Sequence, residues 1–501
     1  MDALLTPPRP RALTAPGTSA AQRWGFFAVI ALGLLMVGLD NSILYTALPR
    51  LSEQLHATET QQLWIVNTYA LVLSGLLLGT GALGDRIGHR RMYVLGLGVF
   101  GLASLTAALS PAVWALVLAR ALLGLGAAVM MPATLALIRL TFDDEIERNT
   151  AIGVWGSVAV AGAAAGPTVG GLLLEHFWWG SVFLVNVPVV ALALALTLWL
   201  APPNVANPAR RWDAPSSLYA LVALSGLVMA IMSLARARWG LVAGAGVVSA
   251  AGGVLFVRRQ NRLEDPLLTW DLFRSRVFTG GVITAGGAMF ALAGTEMLTA
   301  LRLQLVGGHS PLQAGLLISA VALAALPASA LGGANLHRVG FLPLISGGFA
   351  LLAAGLGTMW WAGRHDLTWL FLGAMVLTGV GAGAAMSVSS TAIIGAAPAH
   401  RAGMAAGVEE VSYELGTLLS VSVCGSLVTA LMEQGLPAGL RGAGTEALSS
   451  PATREAAASA YDAGYLTTVG LLAVVVLALA GVTAWCFRDN PRSGGDDGAH
   501  E

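Results

Sequence analysis

The 501-residue chain is 56% hydrophobic and only 11% charged. A soluble globular protein carries about 25% charged residues, so the composition excludes a water-soluble domain and puts the chain in a membrane. Its formal net charge is zero and it has no basic tract, which excludes a nucleic-acid partner, and its two cysteines, Cys424 and Cys486, lie in apolar stretches and set up no disulfide framework.

In chain order, residues 1–23 hold four prolines and no apolar core, and are expected to be a disordered tail rather than a cleaved signal. A bilayer-spanning helix needs about 20 apolar residues. Fourteen stretches meet that need: 24–47, 62–83, 92–109, 112–135, 150–174, 181–201, 216–234, 239–257, 277–305, 311–334, 341–362, 367–394, 403–430 and 463–487. An even number puts both termini on one side. With that side cytoplasmic, nineteen arginines fall in cytoplasmic segments and six in outer ones, a strong positive-inside asymmetry. The expected organisation is a tail (1–23), a six-helix bundle (24–201), a linker with two further spans (202–276), a second six-helix bundle (277–487) with an outer loop at 431–462, and a cytoplasmic tail (488–501).

A charge at bilayer depth costs about 2.5–3.5 kcal/mol on insertion scales, so ionisable residues within spans are functional candidates. Asp40 is the only charged residue of the first span and is expected to face a cavity. Arg120, in the fourth span, cannot release its proton. It is expected to hold a carboxylate or a carbonyl, either tuning an acid or stapling helices. Glu296 opens the second bundle as Asp40 opens the first. Arg302 lies six residues on, off the Glu296 face, and is expected to snorkel to the outer interface. The thirteenth span holds Glu409, Glu410 and Glu414. Glu410 and Glu414 are four apart and share a face, while Glu409 aligns with Tyr413. Such acids suit proton exchange or attraction of a cation, and Trp64, Asn67, Tyr69 and Tyr413 are candidates to line the same cavity. No metal-spaced His or Cys cluster and no well-placed nucleophile–base pair stands out, so neither a metal site nor an enzyme is expected.

A weak internal repeat relates Gly81-Ala82-Leu83-Gly84-Asp85-Arg86-Ile87-Gly88, after the second span, to Gly333-Ala334-Asn335-Leu336-His337-Arg338-Val339-Gly340, after the tenth. Two halves in one orientation, joined by an extra pair of spans and holding a midplane site between them, are a transporter architecture. The first copy runs on into His89-Arg90-Arg91. Its glycines permit a tight turn, and Asp85 and the arginines can form charge-assisted bonds. In the fifth span, Gly162, Gly166 and Gly170 are four apart and offer one face for close helix contact. Pro167 removes a backbone hydrogen bond, and Gly171 follows directly.

Together these stretches, from Leu39 to Cys486, resemble the fourteen-span drug:proton antiporter family of the major facilitator superfamily, most of all its quaternary-ammonium multidrug efflux pumps. The resemblance implies an all-α integral membrane protein with the major facilitator fold, two six-helix bundles plus two inserted linker helices. It implies that Gly81, Gly84, Asp85, Arg86, Gly88, Arg90 and Arg91 form a gating loop that latches the halves, and that Arg120 is the family's buried arginine. Gly162, Gly166, Pro167, Gly170 and Gly171 match the antiporter hinge, and Gly407–Glu414 the acidic region of the thirteenth span. There are departures. Leu123 replaces a usual glutamine, Asn67 stands where related pumps carry an aspartate, Ala325 where one carries an acid linked to divalent cations, and Gly180 where an arginine is usual.

The function this implies is export of lipophilic organic cations, such as quaternary ammonium compounds, dyes and antiseptics, in exchange for protons by alternating access. The transporter would be a monomer in a bacterial cell membrane, with drugs, protons and lipid as partners and the proton motive force in place of a cofactor. Motifs of this kind do not fix substrate, so export of an endogenous metabolite or antibiotic is the alternative.

Overall fold

The computed structural model describes residues 19–207, 212–234, 237–263, 266–397, 402–442, 444–448 and 450–489. The outer parts of the two expected tails, and short stretches of the linker and of the outer loop, lie outside the described residues.

Fourteen long helices follow one another among the described residues. The first seven are α1 (Ala20–Leu55), α2 (Glu59–Ile87), α3 (His89–Ala108), α4 (Val113–Thr141), α5 (Glu145–His176), α6 (Ser181–Leu200) and α7 (Ala214–Leu234). The others are α8 (Trp239–Gln260), α9 (Arg276–Leu305), α10 (Pro311–Val339), α11 (Phe341–Arg364), α12 (Thr368–Gly395), α13 (Ala402–Gly435) and α14 (Arg454–Phe487). Twelve of them are long and apolar enough to cross a membrane, thirteen when α2 is taken as one span across its bend. The remaining helix, α5, includes side chains outside the described residues.

Several helices run past the apolar stretches that predict them, because polar ends keep winding once they leave the hydrocarbon. Reciprocal Ser/Thr–Gln capping boxes close the starts of α1 (Ser19, Gln22), α2 (Thr58, Gln61) and α10 (Ser310, Gln313). The start of α14 likewise takes in residues 454–462, which the sequence assigns to a loop. What is left of the outer loop carries two 3₁₀ turns, Ala438–Leu440 and Gly444–Leu448.

Helix pairings repeat between the halves. In the first half α1 packs on α5 and α4 on both α2 and α3; in the second α9 packs on α13 and α12 on both α10 and α11. The repeated octapeptide does the same job in each. Gly88 (φ +97°) and Gly340 (φ +84°) each end one helix and begin the next, and each donates its N–H to the carbonyl four residues back. Only glycine adopts such a φ without strain.

Two seams join the halves, α2 against α13 and α5 against α10. At the second, the small residues of α5 divide between two neighbours. Gly162, Gly166 and Gly170 lie against Leu35, Ser42 and Ile43 of α1, whereas Gly171 lies against Leu312 of α10 and Gly315 of α10 against the Pro167 carbonyl. The hydrogen bonds that cross between halves gather at the face opposite the chain ends. The Thr168 and Ser319 hydroxyls lie 2.8 Å apart, Ser319 donates to the Ala164 carbonyl, Gln304 Nε2 to the Thr46 carbonyl, Ser310 Oγ to Glu175 Oε1, and the Thr445 N–H to Glu59 Oε1.

The inserted pair sits outside this arrangement. Helix α7 packs Val228 and Met232 with Ala70 and Leu71 of α2 and Leu418 of α13, and so covers the α2–α13 seam. Helix α8 leans on α7, Gly252 against Ala223, and of its residues only Ala245, Gly252 and Gln260 are buried. At the membrane edge Arg259 grips Asp213 with three hydrogen bonds of 2.7–3.0 Å. Burial pushes the Asp213 carboxyl up, but the bonds from Arg259 and Ser216 outweigh it and hold the group below the usual carboxylate range.

A valine at Gly315 would press on the Pro167 carbonyl across the second seam, and overpacking of this kind costs about 1–3 kcal/mol. Gly315→Val is therefore expected to lower the apparent Tm in detergent by several degrees. Gly347→Ala, on α11 with open space around it, should leave Tm unchanged or slightly raised.

Candidate functional site

Arg120 and Asp40 meet in the middle of the first half, and neither side chain has any exposure. Arg120 Nη1 donates to Asp40 Oδ2 at 2.7 Å and Nε to the Ile65 carbonyl at 3.1 Å, while the guanidinium lies 4.6 Å from the ring centroid of Tyr69. Asn186 of α6 donates to the other oxygen, Asp40 Oδ1, at 2.8 Å, and also to Ser104 Oγ of α3 at 3.1 Å. Asp40 is thus enclosed within its own half rather than facing a cavity, because a buried carboxylate is tolerable only when charge and hydrogen bonds satisfy both oxygens. Tyr69, expected to line the cavity, is fully buried beneath Arg120. Asn67 is 1% exposed, with both amide atoms unpartnered among the described residues, and Trp64 packs into the apolar cluster under α7.

The other acids lie at the interface of the halves or beside it. Glu409 is 6% exposed and accepts from Tyr413 Oη at 2.9 Å and from Ser390 Oγ, with Ser389 2.8 Å from the same tyrosine hydroxyl. It belongs to a network between α12 and α13. Glu296, Glu410 and Glu414 are different: none of the three carboxyl groups has a hydrogen-bond or ion-pair partner among the described residues, and Glu414 Oε2 is fully buried. Tyr45 of α1, 4% exposed, lies within reach of the charges of both Glu296 and Glu414.

Arg302 does not snorkel. Its Nε meets Asp462 Oδ1 at 2.5 Å, and its guanidinium lies 5.0 Å from the Phe371 centroid and 5.1 Å from that of Tyr465. The partner was hidden because Asp462 falls in the stretch read as loop.

The expected gating loop is held by its own half and by the linker. Asp85 lies 3.1 Å from His89, Arg90 donates to the Leu198 carbonyl, and Asn204 of the linker donates to the Ile87 carbonyl while accepting from the Arg91 N–H. Both Asp85 and Arg86 are exposed, and Gly81 and Gly84 face Pro132 and His89. Asn186, Ser104, Asn204 and Asp462 all carry weight in these networks, and single polar residues in otherwise apolar or loop sequence give little sign of it. Among the described residues no group of three His, Cys, Asp or Glu could hold a metal ion.

Two halves with equivalent internal pairings, tied together at one face and holding unpartnered acids between them, have the architecture of a membrane transporter that works by alternating access. Comparison with known proteins agrees. A profile of the Major Facilitator Superfamily matches residues 30–421. The methyl viologen resistance protein SmvA of Salmonella typhimurium is 38% identical over 432 residues, covering 84% of this chain and 86% of its own length. The multidrug efflux pump LfrA of Mycolicibacterium smegmatis is 37% identical over 492 residues, 93% of this chain and 96% of its own. A bacterial homolog of the human lysosomal transporter Spinster, in an inward-facing and unoccupied conformation, shares the fold with a TM-score of 0.66 over 95% of this chain and 100% of that one, at 16% identity. The chain belongs to the Major Facilitator Superfamily and is a multi-pass membrane transporter.

Removing one partner of a buried ion pair costs about 3–5 kcal/mol, whereas replacing both by apolar groups is often neutral. Asp40→Leu and Arg120→Met are each expected to lower the apparent Tm sharply, and the double variant to lower it less than the sum. A double-mutant cycle in thermal unfolding measures the coupling, and strict additivity would show that the pair does not act as a unit.

Proposed function

We propose that the transporter exports lipophilic organic cations from the cell in exchange for protons. The observation that carries this reading is the set of carboxyl groups of Glu296, Glu410 and Glu414 at membrane depth, without partners among the described residues, with Tyr45 of the other half near Glu296 and Glu414. A lone carboxylate there is costly. It can be neutralised by a proton or by an organic cation, and the two compete for the same oxygens. Aromatic faces such as that of Tyr45 add attraction for a flat cation once water is excluded. An anionic substrate would meet only repulsion from this set.

The arginine asymmetry supports a cytoplasmic placement of the chain ends. On that placement, the hydrogen bonds between halves seal the outer face, and a cation enters from the cytoplasm or the inner leaflet. The halves then rock, the ties from Thr168–Ser319 to Glu59–Thr445 part, and a proton from outside takes the place of the cation. The membrane potential contributes about 2.3 kcal/mol per charge per 100 mV. The names of SmvA and LfrA, methyl viologen resistance and multidrug efflux, point to substrates of the same kind.

Proteoliposomes with an imposed pH gradient test this directly, with ethidium and methyl viologen as probes. Both are expected to accumulate against their gradients and to stop when the pH gradient is collapsed. Movement that ignores the gradient, or no movement of either cation, would defeat the reading. Within the same assay, Glu296→Gln should slow gradient-driven uptake by at least about tenfold, the equivalent of about 1.4 kcal/mol, with the protein still folded.

A further inference from the structure

Arg120 and Glu414 each hold one half of an ion pair that is not made. Arg120 commits Nη1 to Asp40 and Nε to the Ile65 carbonyl, but its Nη2 is buried without a partner among the described residues. Glu414 Oε2 is buried without a partner as well, and so is the hydroxyl of Tyr69, whose ring lies under the guanidinium. A buried donor and a buried acceptor of opposite charge, both unsatisfied, are costly apart and favourable together.

Packing brings both α4 and α13 to the Tyr69–Val72 turn of α2. Gly124 of α4, one turn from Arg120, lies against the Tyr69 carbonyl and Val72 of α2. Within that turn, Leu71 packs in one cluster with Leu415 and Leu418 of α13. The charge of Arg120 reaches Glu414, and that of Glu414 reaches Tyr69.

The titratable groups that share charge with Glu414 among the described residues are few: Tyr45 from α1, Tyr69 from α2, Arg120 from α4 and Glu410 from α13 itself, with Asp40 acting on Tyr69 and Glu296 on Tyr45. Glu409 and Tyr413 turn instead to Ser389 and Ser390 of α12. Helix α7 brings apolar Leu224, Val228 and Met232 to this region, and α14 meets α13 further out, at Gly464 on Leu431.

We propose that Glu414 is a second carboxylate partner of Arg120, engaged across the halves in another state of the transport cycle. Nη1 keeps Asp40, Nη2 takes Glu414, and the Tyr69 hydroxyl bridges the two. The tie joins α4 of one half to α13 of the other. A proton on Glu414 Oε2 converts the ion pair to a weaker neutral contact and lets the halves part. This rests on the exchange reading above only for the source of the proton.

The test is a distance measurement on the full-length transporter in lipid nanodiscs, with no substrate and no gradient. Cys424→Ser and Cys486→Ser remove the native thiols. Spin labels go on Asp143→Cys, between α4 and α5, and His337→Cys, near the end of α10, both exposed and one in each half. Double electron–electron resonance then follows the label separation from mildly acid to mildly alkaline buffer.

The parent is expected to change its distance distribution with pH, Glu414→Asp to keep that change, and Glu414→Gln to lose it. A folded Glu414→Gln protein that responds to pH as the parent does would overturn the proposal, as would a parent that does not respond. Should Glu414→Gln not fold, Tyr69→Phe removes the bridging hydroxyl alone; it is expected to diminish the response, and an undiminished response overturns the proposal. Because no cation is transported in this measurement, its outcome is separate from that of the liposome assay.

Discussion

A guanidinium with no exposure, in the middle of a helical bundle inside a membrane, sets the terms for the first half of this transporter. Arg120 cannot shed its proton, so its surroundings must neutralise it. Asp40 from α1, the Ile65 carbonyl and the Tyr69 face from α2, and through Asp40 the Asn186 amide of α6 and Ser104 of α3, all converge on it. Five helices are thereby held in one arrangement, since any helix that withdrew would strand a charge or a dipole. The second half solves a similar problem nearer the far face, where Arg302 of α9 binds Asp462 of α14 against Phe371 and Tyr465, and Thr299 bonds Tyr465.

The seams between the halves are built differently. Small residues in close contact make the α5–α10 seam, apolar side chains such as Leu71 and Leu418 the α2–α13 seam, and a handful of neutral or singly charged hydrogen bonds cross between the halves near one face. Charge-paired interiors resist deformation, while glycine contacts and hydroxyl–carbonyl bonds part at modest cost. The seams are thus held less tightly than the interior of either half. The acids without partners among the described residues lie on α9 and α13, at or next to the α2–α13 seam.

Much of this was legible in the sequence, and the gaps follow from physical causes. Spans are readable because hydrocarbon demands long apolar runs, and the turn glycines Gly88 and Gly340 because a left-handed φ demands glycine. Charges at depth announce themselves at Asp40, Arg120 and Glu296. Their partners do not. Asp40 and Arg120 are 80 residues apart, and which faces of α1 and α4 meet is decided by packing of the whole half. Asn186 is one amide in an apolar helix, and Asn204 one residue in a proline-rich linker, so neither stands out until the chain is folded. Asp462 was missed because apolar length marks where a helix enters the hydrocarbon, not where its hydrogen bonds stop.

The inserted hairpin divides its two helices into different regimes of mutational freedom. Helix α7 is held by α2, α13 and the Asp213–Arg259 clasp, and its inward face is as restricted as any core position. Helix α8 touches little besides α7, and at Gly240, Gly244, Gly246 and Gly253 an added side chain would meet no atom within 4 Å. Lipid is its main neighbour, and lipid accepts any apolar shape. Over evolutionary time α8 can drift in sequence with little consequence for the halves. For the experimenter it is the natural place to attach a fluorophore or affinity handle that reports on the transporter without entering its moving parts.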